Sequence, residues 1–341
     1  MSTHIRIAVD AMSGDLGPRV VISACQNILK QIPDVDIWLI GDESLPAIMP
    51  HTFADRLHFI HAAKVISMSD NPLQAIRHKK DSSMGKALEC LRDGKVDACV
   101  SAGNTGALIT LSLHLIERFD SIDRVAICKL MPTKQNVTAM LDLGGNTQAT
   151  PQQLLQFALM GRELVRAQGV GNPDIALLNI GVETHKGTEN LQQAQNLFST
   201  VFEQDYSGFI EANQLFDGTV NVIVTDGFTG NIALKASEGV ARFIGQKIKQ
   251  NFAKNIWAKF SAFLALPVLS RLKNELNPAS YNGAVFLGLK KVVVKSHGDA
   301  DEVGFTQAIR LAYEQARGQV PAQIQRQLEL INTSFPFNNQ K

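Results

Sequence analysis

Apolar runs alternate with amphipathic stretches along almost the whole chain, and that alternation limits its possible folds more than any other feature. The runs IRIAVDA (5–11), DIWLIG (36–41), DACVSAG (97–103), RVAICKL (124–130), NVTAMLDL (136–143), DIALLNIG (174–181), VNVIVTDG (220–227) and KVVVKSHG (291–298) read as strands. Helical periodicity falls at 18–31, 83–94, 104–118, 151–168, 188–203, 229–252 and 301–317. Strands that are apolar throughout and separated by helices specify βαβ units and a parallel sheet covered on both faces. A chain of 341 residues, 45% hydrophobic, can bury such a core. We read residues 1–333 as a single α/β domain, with 334–341 as a flexible tail.

Several function classes drop out early. Net charge is +1, so no global field recruits nucleic acid. The start, MSTHIRIAVDAMSGD, lacks the basic and long apolar regions of a signal peptide, and no apolar run is long enough to span a bilayer. Cys25, Cys90, Cys99 and Cys128 form no CxxC pair and are expected as reduced core residues of a cytosolic protein. His58 and His61 have a spacing a metal site could use. They lack an acid or cysteine partner, so they are expected to face solvent, and no metal site is assigned.

Five strands end in glycine-bearing loops: DAMSGDLGP, SAGNTGA, NIGVETHKG, TDGFTGN and KSHGDAD. In an open α/β sheet, strand C-termini share one edge and ligands bind there, so these loops are expected to converge. SAGNTGA and DGFTGN each lead from a strand into a helix. Gly103 and Gly106 let backbone approach a ligand, Asn104 or Thr105 can cap the helix, and the free N–H groups suit phosphate. No GxGxxG and no GxxxxGK[ST] is present, so the phosphate need not belong to a nucleotide.

Side chains at these ends can hold an anion. Lys186 follows a strand end with His185 beside it, Lys235 lies one turn into the helix after DGFTGN, and Lys295 and His297 close the last strand. Each lysine could equally be a surface charge, and strand-end position favours a functional role most for Lys186. Asp10, Asp15 and Asp226 form no carboxylate cluster and fit capping or lysine pairing better than metal binding. No GxSxG occurs and no cysteine sits in an electropositive turn, which leaves a site that positions an anionic nucleophile against an electrophile.

Taken together, VDAMSGDLGP, KKDSSMGKAL, DACVSAGNTGAL, LLNIGVETHKG, VTDGFTGNIALKASEG and YNGAVFLGLKKVVVKSHG resemble, in order and spacing, the bacterial acyl-acyl-carrier-protein:phosphate acyltransferases (the PlsX family). The resemblance runs from about residue 5 to 320. It departs at Ser13, where glycine is expected, and at Asp299, where a small or hydroxyl residue is expected.

What the resemblance implies is transfer of a long-chain acyl group from acyl carrier protein to inorganic phosphate, with no cofactor. The acyl phosphate product would pass to a membrane glycerol-3-phosphate acyltransferase for phospholipid synthesis. It also implies a homodimer and a three-layer α/β/α sandwich with a mostly parallel sheet, similar to phosphotransacetylases and isocitrate dehydrogenases. By the same resemblance Lys186 and Asn231 are the catalytic candidates. Asn104, Thr105, Gly106, Asp226, Gly227, Thr229 and Gly230 would cradle phosphate, with Lys235, Lys295, Ser296 and His297 as further site residues.

Residues 247–275 read differently from core. Lys247, Lys249, Lys254, Lys259, Arg271 and Lys273 stand against Glu275 alone, a net +5 in a chain of +1. Phe252, Ile256, Phe260 and Phe263 or Leu264 repeat at helical spacing, as do Leu269, Leu272 and Leu276. The expectation is a protruding hairpin over 247–277, turning near Leu266 and Pro267. Trp257, Phe260, Phe263, Leu264, Leu266 and Leu269 would meet an anionic lipid surface at the inner face of the cell membrane, or the acidic carrier protein. A core or dimer contact is the alternative.

Three other functions compete with this one. They are a short-chain phosphate acyltransferase using coenzyme A thioesters, a metal- and nicotinamide-dependent dehydrogenase, and a non-catalytic membrane scaffold. The basic apolar segment argues against the first, the missing aspartate and arginine clusters against the second, and the five glycine-bearing loops against the third.

Overall fold

Each strand of the computed structural model grows from one of the apolar runs, with three additions. The structure describes residues 4–72, 79–135, 137–275 and 277–334. The strands are β1 (Ile5–Asp10), β2 (Val35–Gly41), β3 (Leu57–His61), β4 (Ala98–Ser101), β5 (Ala126–Pro132), β6 (Val137–Leu141), β7 (Ile175–Asn179), β8 (Tyr206–Glu211), β9 (Val222–Val224), β10 (Ala284–Leu287) and β11 (Val292–Lys295). β3, β8 and β10 are the additions: His58 and His61, expected to face solvent, sit on β3, where His61 is exposed and His58 is partly covered beside the Trp38 ring.

The helices are α1 (Pro18–Gln31), α2 (Ser83–Arg92), α3 (Thr105–Leu115), α4 (Pro151–Ala167), α5 (Glu189–Phe202), α6 (Gly227–Ala253), α7 (Ile256–Glu275), α8 (Glu302–Arg317) and α9 (Val320–Ser334). Side-chain caps start most of them. Ser82, Asn104, Thr150, Thr188, Asp226 and Asp301 each accept an N–H of the first turn, which satisfies donors that the helix cannot. α9 takes the first residue of the expected tail, and 335–341 lie outside the described residues.

Among the described residues, eleven strands form one sheet in the order β3-β2-β1-β4-β11-β10-β5-β6-β9-β7-β8. Apolar side chains of α1, α4, α5, α8 and α9 pack on one face, and those of α2, α3 and the start of α6 on the other. This is the expected three-layer α/β/α architecture. The four cysteines are free and buried in it.

Strand direction reverses partway across. β10 is antiparallel to both β11 and β5, and β6 is antiparallel to β5, while the other pairings are parallel. β1 to β5 and β11 therefore run one way, and β6 to β10 the other. The expected single rim is two rims. Loops after β1, β4 and β11 emerge at one edge, and loops after β7 and β9 at the opposite edge. The physical reason is the short link between β5 and β6, which folds them into a hairpin and turns the second half of the sheet over.

The basic segment is helical, with its joint elsewhere than expected. α6 ends at Ala253 and α7 begins at Ile256, so the turn lies at 254–255, and Pro267 sits inside α7. Proline removes one intrahelical bond; here it does so in a stretch of mostly exposed side chains, and the helix continues. Leu276 and the side chain of Leu272 lie outside the described residues.

Candidate active site

The first rim is organised by a buried acid. Asp10 is 0% exposed and accepts hydrogen bonds from Met12 N–H, Ser13 Oγ and Ser101 Oγ, the last at 2.7 Å. Ser101 Oγ in turn accepts Gly103 N–H at 3.1 Å. The ends of β1 and β4 are thus locked together, and Ser13 contributes a bond that a glycine could not make.

β11 ends beside them. Lys295 is 9% exposed, and its ammonium donates to the carbonyls of Ala102 (3.1 Å) and Ser296. Burial pushes its pKa down to about 8, Asp15 and Asp10 pull it up, and the charge of Lys235 adds to the effect of burial. Ala102 stands just before the start of α3, so a buried cation borders a helix N-terminus, the arrangement that favours a bound anion.

The rim residues divide into those free to meet a ligand and those already engaged. Thr105 is exposed and Gly106 half-buried at the first turn of α3. Asn104 is occupied: its Oδ1 caps Ala107 N–H, and its Nδ2 donates to the carbonyls of Met68 (2.9 Å) and Asp70 (3.1 Å). Ser296 is completely buried and bonded by Asn282, so its hydroxyl braces the loop. His297 is exposed and paired with Asp299.

Along β11, β10 and β5, one level of the sheet carries Lys295, Ala284 and Lys129 in register. Lys295 alternates with buried Val293, and Lys129 with buried Ile127 and Met131, so both lysines belong to the face that α3 and α6 cover. Glu238 of α6 bridges two lysines, at 3.3 Å from Lys129 Nζ and 3.0 Å from Lys235 Nζ. Burial opposes ionisation of Glu238, but its bonds to Lys235 and Lys129 outweigh that and hold its carboxyl below the usual range. Lys129 and Glu238 were missed in the sequence. The available signal was a lysine interrupting the otherwise apolar AICKLM.

Asp226, Thr229, Asn231 and Lys186 lie on the second rim. Asp226 caps α6 through Thr229 N–H (2.8 Å) and also accepts the Thr229 hydroxyl (3.0 Å), so both side chains are engaged. Gly227 and Gly230 are buried against the β6 end: a Cβ on Gly230 would meet the Asp142 carbonyl at 2.0 Å, and one on Gly227 the Asn146 carbonyl at 2.5 Å. Their small size admits neighbouring backbone. Asp142 holds that backbone by accepting the N–H groups of Ile127, Gly145 and Asn146. Asn231 is exposed beside Gly144. Lys186 is half-buried and pairs with Glu183 at 2.8 Å, in a loop closed by the Asn179 bond to the Lys186 carbonyl.

Lys186 and Asn231 therefore share a rim, and Lys295 and the start of α3 share the other. Lys235, partway along α6, is close enough to Lys295 to act on its charge. Among the described residues, no group of three or more His, Cys, Asp or Glu stands close enough to hold a metal ion. No helix among them is long and apolar enough to cross a membrane.

Residues 5–323 match the family described as a fatty acid synthesis protein. The chain is 55% identical to the phosphate acyltransferase of Cellvibrio japonicus, covering 97% of this chain and 100% of that one. It is 44% identical to the phosphate acyltransferase of Saccharophagus degradans, covering 96% and 97%. Its fold is similar to a phosphotransacetylase from Streptococcus pyogenes, with a TM-score of 0.61 at 16% identity, over 92% of this chain and 94% of that one. The EutD phosphotransacetylase of Staphylococcus aureus is similar at a TM-score of 0.58 and 16% identity, over 92% and 95%.

Proposed function

Because the chain belongs to the fatty acid synthesis protein family of phosphate acyltransferases, we propose that it moves a long-chain acyl group from acyl carrier protein to inorganic phosphate, in the cytoplasm. An oxygen of hydrogen phosphate attacks the thioester carbonyl carbon and the carbon–sulfur bond breaks. Sulfur leaves with the electron pair and takes the proton that phosphate gives up. The products are an acyl phosphate and the free carrier thiol, and the acyl phosphate supplies a membrane glycerol-3-phosphate acyltransferase.

The observation that carries this reading is Lys295, a buried ammonium next to the start of α3. In this reading orthophosphate lies against Lys295 and the N–H groups of Thr105 and Gly106, with Lys235 approaching from α6. These donors offset the negative charge that builds on the carbonyl oxygen during attack. Purified acyl carrier protein thioester, supplied with and without inorganic phosphate, tests the function. Acyl phosphate forms only when phosphate is present; the same carrier-thiol release without phosphate rules the transfer out.

The reading includes a homodimer. Phe228, Ile232, Val240 and Phe243 are 54 to 63% exposed along α6, and Ile180 and Val182 extend the apolar surface beside Lys186. A second copy covering this surface would let Lys186 and Asn231 of one chain reach the Lys295 rim of the other.

The reading also includes a membrane contact through α7, where Trp257, Phe260, Phe263, Leu264 and Leu266 are 53 to 76% exposed and Leu269 is half-buried. Partial insertion of such side chains into the inner membrane face, with basic neighbours on anionic lipid, gives reversible docking.

A further inference from the structure

The contact between Glu238 and two lysines has a shape that a fastening alone does not need. Lys129 comes from the middle of the sheet and Lys235 from α6, and one carboxylate engages both, one oxygen to each. The side chains of Lys129 and Glu238 are only 16% and 19% exposed. Two strands away, at the same level and on the same face, stands Lys295, whose charge interacts with that of Lys235. Between Lys129 and Lys295, at that level, the sheet presents the small side chain of Ala284. Three cations thus border one strip, and the acid bonded into it is Glu238.

We propose that Glu238 is an internal competitor for the substrate anion, and that Lys129 is a further substrate-binding residue. The Glu238 carboxylate holds Lys129 and Lys235 in position and yields them when orthophosphate binds. The inference rests on the orthophosphate reading above and extends it to two residues outside the rim loops. A carboxylate and a phosphate make the same charge-assisted bonds to ammonium groups, so each can replace the other without leaving a buried cation unpaired.

Competition and fastening predict different signs. Isothermal titration of the full chain with inorganic phosphate compares wild type, Glu238→Gln and Lys129→Met. Competition requires Glu238→Gln to bind phosphate roughly three- to tenfold more tightly, and Lys129→Met to bind it more weakly by a similar factor. If the bridge only fastens α6 to the sheet, both variants weaken binding or both leave it unchanged, and either result overturns the proposal. Glu238→Asp, too short to reach both lysines, carries the same expected gain and serves if Glu238→Gln does not fold. Glu314→Gln on α8, at the opposite face, is the charge control; a gain there as large as that of Glu238→Gln also overturns the competition. Absence of phosphate binding by wild type overturns the orthophosphate reading itself, whereas wild-type binding with same-sign changes overturns the competition alone.

Discussion

Lys295 and Lys129 occupy one level of the sheet, each the register partner of Ala284 from opposite sides of β10. No pattern of strand ends would place them together, because Lys129 sits in the middle of β5. What joins them is the alternation of side chains between faces and the pairing register.

Replacing Lys295 with Met is expected to cut phosphate-dependent turnover roughly 100-fold, the usual effect of losing one charge-stabilising donor. pH gives an independent reading. The Lys295 ammonium is present below about 8 and lost above it, so phosphate affinity falls as pH rises through about 8. The contribution to stability has the opposite sign. The unfolded chain holds this proton more tightly, so the fold gains stability from about 8 up to the ordinary lysine range. The check is KM for phosphate against pH, steep near that value in wild type and flat in the variant. A flat wild-type profile removes Lys295 from phosphate binding.

Mixing two inactive variants tests the shared site. Lys186→Ala and Lys295→Met homodimers are each expected to lose most turnover. Co-refolded heterodimers contain one site with both lysines intact and should recover roughly a quarter of wild-type activity, the statistical share if chains pair at random and each intact site works alone. No recovery, with dimers confirmed by sedimentation, would place both lysines in the same chain's site or Lys186 outside the reaction.

Gly230→Ala is expected to destabilise the fold by about 2–4 kcal/mol, because the added methyl meets backbone that cannot swing aside. Denaturant unfolding measures it. A variant as stable as wild type, but with weak phosphate binding, would support the idea that Gly230 makes room for the anion.

The apolar surface of α7 gives a fourth expectation. Leu266 is 53% exposed, and Leu266→Glu should reduce flotation with anionic liposomes severalfold, through lost burial and added like charge. Turnover on soluble carrier thioester should be unaffected. Unchanged flotation would assign the surface to a protein partner.

Much of this was legible in the chain, and the failures share a cause. Strand and helix positions follow from local hydrophobic period, and the loops SAGNTGA and KSHGDAD lie beside each other as expected. Periodicity does not state which way a strand points. The β5–β6 hairpin turns half the sheet over, so NIGVETHKG and TDGFTGN open elsewhere. Glycines at 227 and 230 carried the right local signal, a close approach, but sequence could not say whether backbone or ligand makes it. Glu238 was invisible because its meaning lies in a strand more than 100 residues away.

The reversal of strand direction has one last consequence. A molecule approaching the Lys295 edge and one approaching the Lys186 edge see different landscapes, much like two ends of a magnet. Side-by-side assembly with a half-turn between copies is the arrangement that brings unlike poles together. The seam where the sheet changes sense is therefore where the chain acquires its front and back, before any substrate arrives.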